Sequence, residues 1–144
     1  MAMYSTAGLC VPPFVLLGTQ CVHIIPATYT WHDARARCGL VGGDLIVLDD
    51  CEQYHKVSLY LAEQGHSDYW IGGSDEAVEG QWRWVDGSPM VMGLPYWANV
   101  GIGEPEPNKP GRQNCLELSC VWMYRFGDGT CSEMRRVICE ADPF

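Results

Sequence analysis

Glu106-Pro107-Asn108 places a carboxylate and a carboxamide on either side of one proline, shortly before Cys115. Two oxygen donors held that close can be aimed at one hard cation, and oxygen is the ligand that calcium prefers. The run Gly103-Glu104-Pro105-Glu106-Pro107-Asn108 holds two Glu-Pro pairs. The later pair ends in asparagine and has the better spacing to Cys115. Lys109 and Arg112 lie beside it, and their charge would repel an ion or replace it. The competing reading is an ordinary proline-rich loop with polar flanks.

Other chemistries have less support. The chain has no Cys-x-x-Cys pair, and His23, His32, His55 and His66 are scattered, so zinc-ligand spacing is missing. No histidine has a serine or cysteine partner at suggestive spacing, and nucleophilic catalysis is unsupported. The formal charge is −9 with no basic block, which argues against nucleic acid or an anionic membrane as partner, because phosphate binding needs a positive field. No run approaches the roughly 18 apolar residues of a membrane-spanning helix. Val11 to Leu17 is apolar but carries Pro12 and Pro13, and it lacks the basic leader of a signal peptide. Met1 to Gly8 reads as an N-terminal tail, with any secretion signal already absent. No Asn-x-Ser/Thr sequon occurs.

The elements that must position such a site are short. A chain of 144 residues makes one domain with a modest core. Eight cysteines read as a disulfide framework and an oxidising, extracellular setting, although the count leaves the connectivity open. Residues 9–29 suggest a β-hairpin turning at Gly18-Thr19, with Cys10 and Cys21 able to tie its arms. Thr30-Trp31-His32-Asp33 fits a capping box, and Trp31, Ala34 and Cys38 follow at helical spacing. Gly39 and Gly42-Gly43 end that helix. Leu45 to Leu48 suggests a short buried strand. Asp49-Asp50-Cys51-Glu52 opens a second helix with Tyr54, Val57 and Leu61 on one face, closed by Gly65. Trp70-Ile71 and Trp82 to Val85 read as strands, with a turn at Asp86-Gly87. Residues 88–112 form a long loop that Pro95, Pro105, Pro107 and Pro110 stiffen, which favours a functional loop. Cys115 to Cys120 and Arg135 to Glu140 read as late strands. Helices first and strands later give an α+β class.

Trp31…Cys38, Trp70-Ile71-Gly72-Gly73, Trp82-x-Trp84-x-Asp86-Gly87, Glu106-Pro107-Asn108, Cys115, Cys131 and Ile138-Cys139-Glu140 occur in an order and spacing that resemble the C-type lectin domain family. The likeness covers residues 9–141, leaving 1–8 and 142–144 as tails. It implies a C-type lectin-like fold: two helices flanking small antiparallel sheets, a long loop and disulfide staples. It implies the pairs Cys10–Cys21, Cys38–Cys139 and Cys115–Cys131. Cys51 and Cys120 are extra to the family pattern, and a fourth internal bridge, an intermolecular bond or free thiols all compete for them.

By the same resemblance, Glu106 and Asn108 bind calcium and sugar together and Pro107 is cis. The carboxylate side accepts from a sugar hydroxyl and the amide side donates to one. The Glu-then-Asn order looks like members that bind mannose-type sugars, whereas galactose-type members usually read Gln-Pro-Asp. Asp128 matches a further ligand. Gln113 stands where a carboxylate is usual and offers a neutral oxygen. Gly127 supplies no side chain, and Phe126 replaces a tryptophan. Lost charge weakens calcium affinity, so the expected site is weak, about millimolar. Asp75-Glu76 and Glu79-Gly80 are similar to a second calcium position, but Lys109 falls where another acid would sit, and a solvated acidic turn is the favoured reading there. Trp97 precedes the loop; the other tryptophans are mostly core.

The expectation is a secreted, non-enzymatic soluble lectin that binds mannose-type glycans through calcium, in microbial recognition, with a homodimer needed for agglutination. The alternative is a domain without calcium that binds a protein or ice through the same loop, with Arg112 or Arg125 where the ion would be.

Overall fold

A computed structural model describes residues 10–64, 67–77, 81–90, 99–100, 104–105, 115–119 and 125–142. Residues 99–100, 104–105, 119, 125 and 127–128 are described by their backbone alone.

The first elements form where local chemistry directs them. β1 (Val15–Leu17) and β2 (Gln20–Tyr29) pair antiparallel, with Leu17 opposite Gln20. Gly18 makes the turn at φ 63°, a left-handed conformation open to glycine at no steric cost. Thr30 caps α1 (Trp31–Leu40), its hydroxyl accepting from the Asp33 N–H at 3.3 Å. Trp31, Ala34 and Cys38 are the buried residues of that helix. Asp44–Leu45 is β3, shorter than the apolar run suggests. Leu45, Ile46 and Leu48 are all buried, and the Ile46 N–H still donates to Ile138 O at 3.0 Å before the chain runs on to the next helix.

Asp50 caps α2 (Cys51–Ala62), accepting from the Gln53 N–H at 3.1 Å. Its buried residues are Gln53, Val57 and Leu61, with Tyr54 only half-buried. The inward stripe therefore begins with a polar residue. Gln53 donates to Leu17 O at 2.8 Å and accepts from the Thr19 N–H at 2.9 Å, fastening α2 to the hairpin turn. Gly65, the expected stop, lies outside the described residues.

The remaining strands are β4 (Tyr69–Ser74), β5 (Arg83–Trp84), β6 (Asn99–Val100), β7 (Glu104–Pro105), β8 (Cys115–Ser119), β9 (Arg125–Gly129) and β10 (Arg135–Ala141). Eight strands join in one sheet, ordered β1-β2-β10-β4-β8-β9, with β3 on β10 and β5 on β4. β6 and β7 form a separate two-stranded sheet. Among the described strands, β4 and β10 are the one parallel pair, so the main sheet is mixed. The long chain between them provides the crossover that parallel pairing needs. β9 was not separately legible in the sequence.

Alternate residues of each strand face opposite sides. Tyr69, Ile71, Leu116, Leu118 and Ile138 pack with Val57 and Leu61 of α2. Trp70, Cys115, Val137 and Cys139 pack with Trp31, Ala34 and Cys38 of α1. Each helix thus covers its own core.

Among the described residues three disulfides form: Cys10–Cys21, Cys38–Cys139 and Cys115–Cys131. These are the pairs that the resemblance implies. The fourth bridge, Cys51–Cys120, is corrected: Cys51 carries an exposed free thiol. It lies about 200° around α2 from Gln53, on the side away from the core. Cys120 lies outside the described residues. Among those residues, no helix is long and apolar enough to cross a membrane.

Candidate functional site

Asp128 is the one expected ligand within the described chain. It sits in β9 opposite Leu116 of β8. The adjoining rungs are Cys115 opposite Gly129 and Glu117 opposite Gly127. The Cys115–Cys131 disulfide, Cα–Cα 5.3 Å, ties the start of β8 to the chain just beyond β9. Glu106, Pro107, Asn108 and Gln113 lie outside the described residues, as do Glu79, Gly80, Trp97, Lys109 and Arg112. The described cis peptide is Pro12–Pro13.

Of the two Glu-Pro pairs, the earlier one lies within the described residues. The earlier one, Glu104–Pro105, is β7 itself, with Val100 opposite Glu104 and Asn99 opposite Pro105. That hairpin leads directly into Glu106. Phe126 is buried, with its ring edge-on to Tyr54 at 5.3 Å and to Trp84 at 5.8 Å. The residue standing where the family has tryptophan therefore serves the core.

The second acidic position is not a solvated turn throughout. Glu76 is exposed and pairs with His32 at 3.0 Å. Asp75, the residue just past the end of β4, is only 3% exposed. Among the described residues, the one cluster with metal-ligand spacing is Glu76, Cys115 and Cys131. Its two sulfurs are bonded to each other, so they are not thiolate ligands.

Two further acidic features went unread in the sequence. Glu117 is buried and forms an ion pair with the half-buried Arg135, whose Nε donates to the Glu117 carboxylate. Burial pushes the Glu117 carboxyl up, and the Arg135 charge pulls it only part of the way back. A lone acid between Leu116 and Leu118 in a buried strand was the available signal. Elsewhere, a cleft of about 470 Å³ is lined by Gln20, Asp44, Val47, Asp49, Asp86, Glu140 and Asp142, among others. Glu140 accepts from the Val47 N–H at 2.6 Å and from the Gln20 amide at 3.2 Å. Burial pushes its carboxyl up to about 7, against the pull of those two hydrogen bonds, and Asp142 and Asp49 add to the rise.

A two-helix α+β unit with these disulfides has known counterparts. A family model described as "Lectin C-type domain" matches residues 27–141. The chain belongs to the C-type lectin domain family. Among the relatives of this C-type lectin domain is the CD209 antigen of Pongo pygmaeus, 34% identical over 100 residues, which cover 69% of this chain and 24% of that protein. The chain spans about a quarter of the length of the curated relatives it matches. The mouse scavenger receptor C-type lectin carbohydrate-recognition domain has a similar fold, with TM-score 0.78, 23% identity, and 94% and 99% of the two chains covered. A calcium-independent type II antifreeze protein aligns with TM-score 0.71 and 26% identity over 94% of this chain and 95% of its own. The family is a carbohydrate-binding, non-enzymatic one whose domains typically bind calcium, with calcium-independent neighbours.

Proposed function

We propose that this domain, residues 9–141, captures mannose-type glycans through a weak calcium site made by Glu106, Asn108 and Asp128, with Gln113 assisting. The donor set fits a hard cation, since every member offers oxygen and two are carboxylates. Calcium, when bound, keeps coordination positions that sugar hydroxyls can fill. Glu106 accepts a hydrogen bond from one sugar hydroxyl, and the Asn108 amide donates to another. The observation that carries the reading is the Leu116–Asp128 rung beside the Cys115–Cys131 staple, with the earlier Glu-Pro pair taken up in β7. Glu106-Pro107-Asn108, which ends in asparagine and has the better spacing to Cys115, is the motif taken for the site.

Three disulfides favour an oxidising compartment, and secretion follows from that reading. Microbial recognition fits a glycan-binding domain, and agglutination adds the need for a second site per particle. Cys51 supplies an exposed thiol for a link between two copies.

A second reading is favoured by the likeness to the calcium-independent antifreeze protein. The same loop surface then binds a protein or ice, with Arg112 or Arg125 in place of the ion. Calorimetric titration with calcium, followed by mannan pull-down with and without EDTA, separates the two. Calcium-dependent capture supports the lectin mechanism. Equal capture in EDTA, with no calcium heat, overturns it.

A further inference from the structure

We propose that the Glu117–Arg135 pair, seated on the Trp70 ring, is the positioning device that sets the Leu116–Asp128 rung against the rest of the sheet. The need for such a device comes from the ladder. β8 pairs with β4 at Trp70↔Glu117 and again at Ser74↔Cys115, and the register shifts between them. Four residues advance on β4 while two advance on β8. The irregularity falls at Leu116, the partner of Asp128. Gly72 and Gly73 occupy the irregular stretch, and a Cβ on Gly73 would come within 2.7 Å of the Leu116 side chain. Leu116 therefore packs closely on that stretch without a regular rung to β4.

The rung is held from its two sides instead. On one side stands Cys115 with its disulfide to Cys131. On the other stands Glu117, bonded to Arg135 of β10. The Arg135 guanidinium lies 4.6 Å from the Trp70 ring centroid and also donates to Glu133 at 3.0 Å. Trp70 is fixed in turn by its Nε1–H to Tyr29 O at 2.9 Å. Gly129, next to Asp128, lies flush on the same ring, since a Cβ there would meet Trp70 carbons at 3.0 Å. One cluster thus joins β10, β4, β8 and β9 around the residue that the proposed site needs. A planar fork with a fixed stacking partner sets direction as well as distance, which an apolar pair does not.

The inference rests on the lectin reading only in making Asp128 a ligand, and its test has a readout free of calcium. The test compares wild type with Arg135→Lys, Glu117→Gln and the double variant Glu117→Leu/Arg135→Met. Apolar replacement of a buried pair commonly preserves stability, so the double variant keeps a thermal midpoint close to wild type. Hydrogen exchange is then read in peptides spanning 115–129 and, as the internal control, in peptides of β1 and β2, none of whose side chains belongs to the cluster. The expected result is faster exchange confined to 115–129, together with about a tenfold loss of calcium affinity. Wild-type exchange in 115–129 of the double variant overturns the proposal. So does an acceleration shared equally with β1 and β2 in any of the three variants, which marks general loosening. Should wild type bind no calcium, the lectin reading fails while the exchange comparison still decides this one.

Discussion

Three carboxylates in this domain have unlike surroundings, and the surroundings decide what each can do. Glu76 is exposed and paired with a histidine, a contact of small energetic weight. Glu117 is buried against an arginine, and removing either partner leaves a buried charge. Glu140 is held by an N–H and an amide in an acidic cleft, with its carboxyl pushed from an ordinary 4.5 to about 7. Its folded pKa lies above the unfolded one, so the native state binds more protons in the window between them. The stability it contributes is fully present below 4.5 and lost as pH rises through about 7. Gln20 Oε1 is buried there without a hydrogen-bond partner, and a neutral group at position 140 has a donor to offer it. Glu140→Gln is expected to raise Tm by about 3–6 °C near pH 8, with the gain vanishing toward pH 4.5, as read by calorimetry across pH. At the proposed site, Asp128→Asn removes one charge from a weak donor set. Its expected effect is about a tenfold or greater loss of calcium affinity by titration, with Tm in EDTA unchanged.

The elements were legible where a local rule governs them. Thr30 and Asp50 lie just before apolar periodic stretches, and both turned out to be caps whose side chains accept from the third residue on. Thr30→Ala is expected to cost about 1 kcal/mol in urea unfolding. Gln53 shows what such rules miss. By periodicity it is a polar residue beside an apolar stripe, yet it is 4% exposed and braces the hairpin turn through Thr19 and Leu17. Gln53→Leu leaves the Thr19 N–H and the Leu17 carbonyl without their partner, and about 1–3 kcal/mol of stability should go with them. A urea midpoint equal to wild type would show that solvent replaces the brace. β9 escaped for a similar reason. Arg125-Phe126-Gly127-Asp128-Gly129 has two glycines and an acid, which read as turn, and pairing with β8 across every residue makes it a strand.

For the molecule as a whole, the disulfides bound how far the chain can loosen. Cys38–Cys139 spans 101 residues and links α1 to β10, so it removes more unfolded-state freedom than Cys115–Cys131, which spans 16. In the chain-entropy account the first contributes about 4–5 kcal/mol and the second about 3. Paired Cys→Ala variants are expected to lower the urea midpoint in that order; equal losses would place the stabilisation in local packing instead. A thiol reagent added to the native protein should label Cys51 and leave Tm where it was, because the thiol faces outward at the start of α2.

Sequence alone determined what depends on near neighbours and on motif order. The helix caps, the hairpin turn at Gly18, the family and the cysteine pairs that it implies were all readable there, because each is carried by short motifs or by spacing along the chain. Only the tertiary structure decided what depends on distant partners. It buried Asp75, paired Glu117 with Arg135, turned Gln53 into a brace, left Cys51 outside and set β4 parallel to β10. A side chain's type does not state which face of a sheet it will meet or what charge will lie across it. Those facts arise when strands far apart in sequence come into register, and the energy of a charge or an amide is set by that meeting.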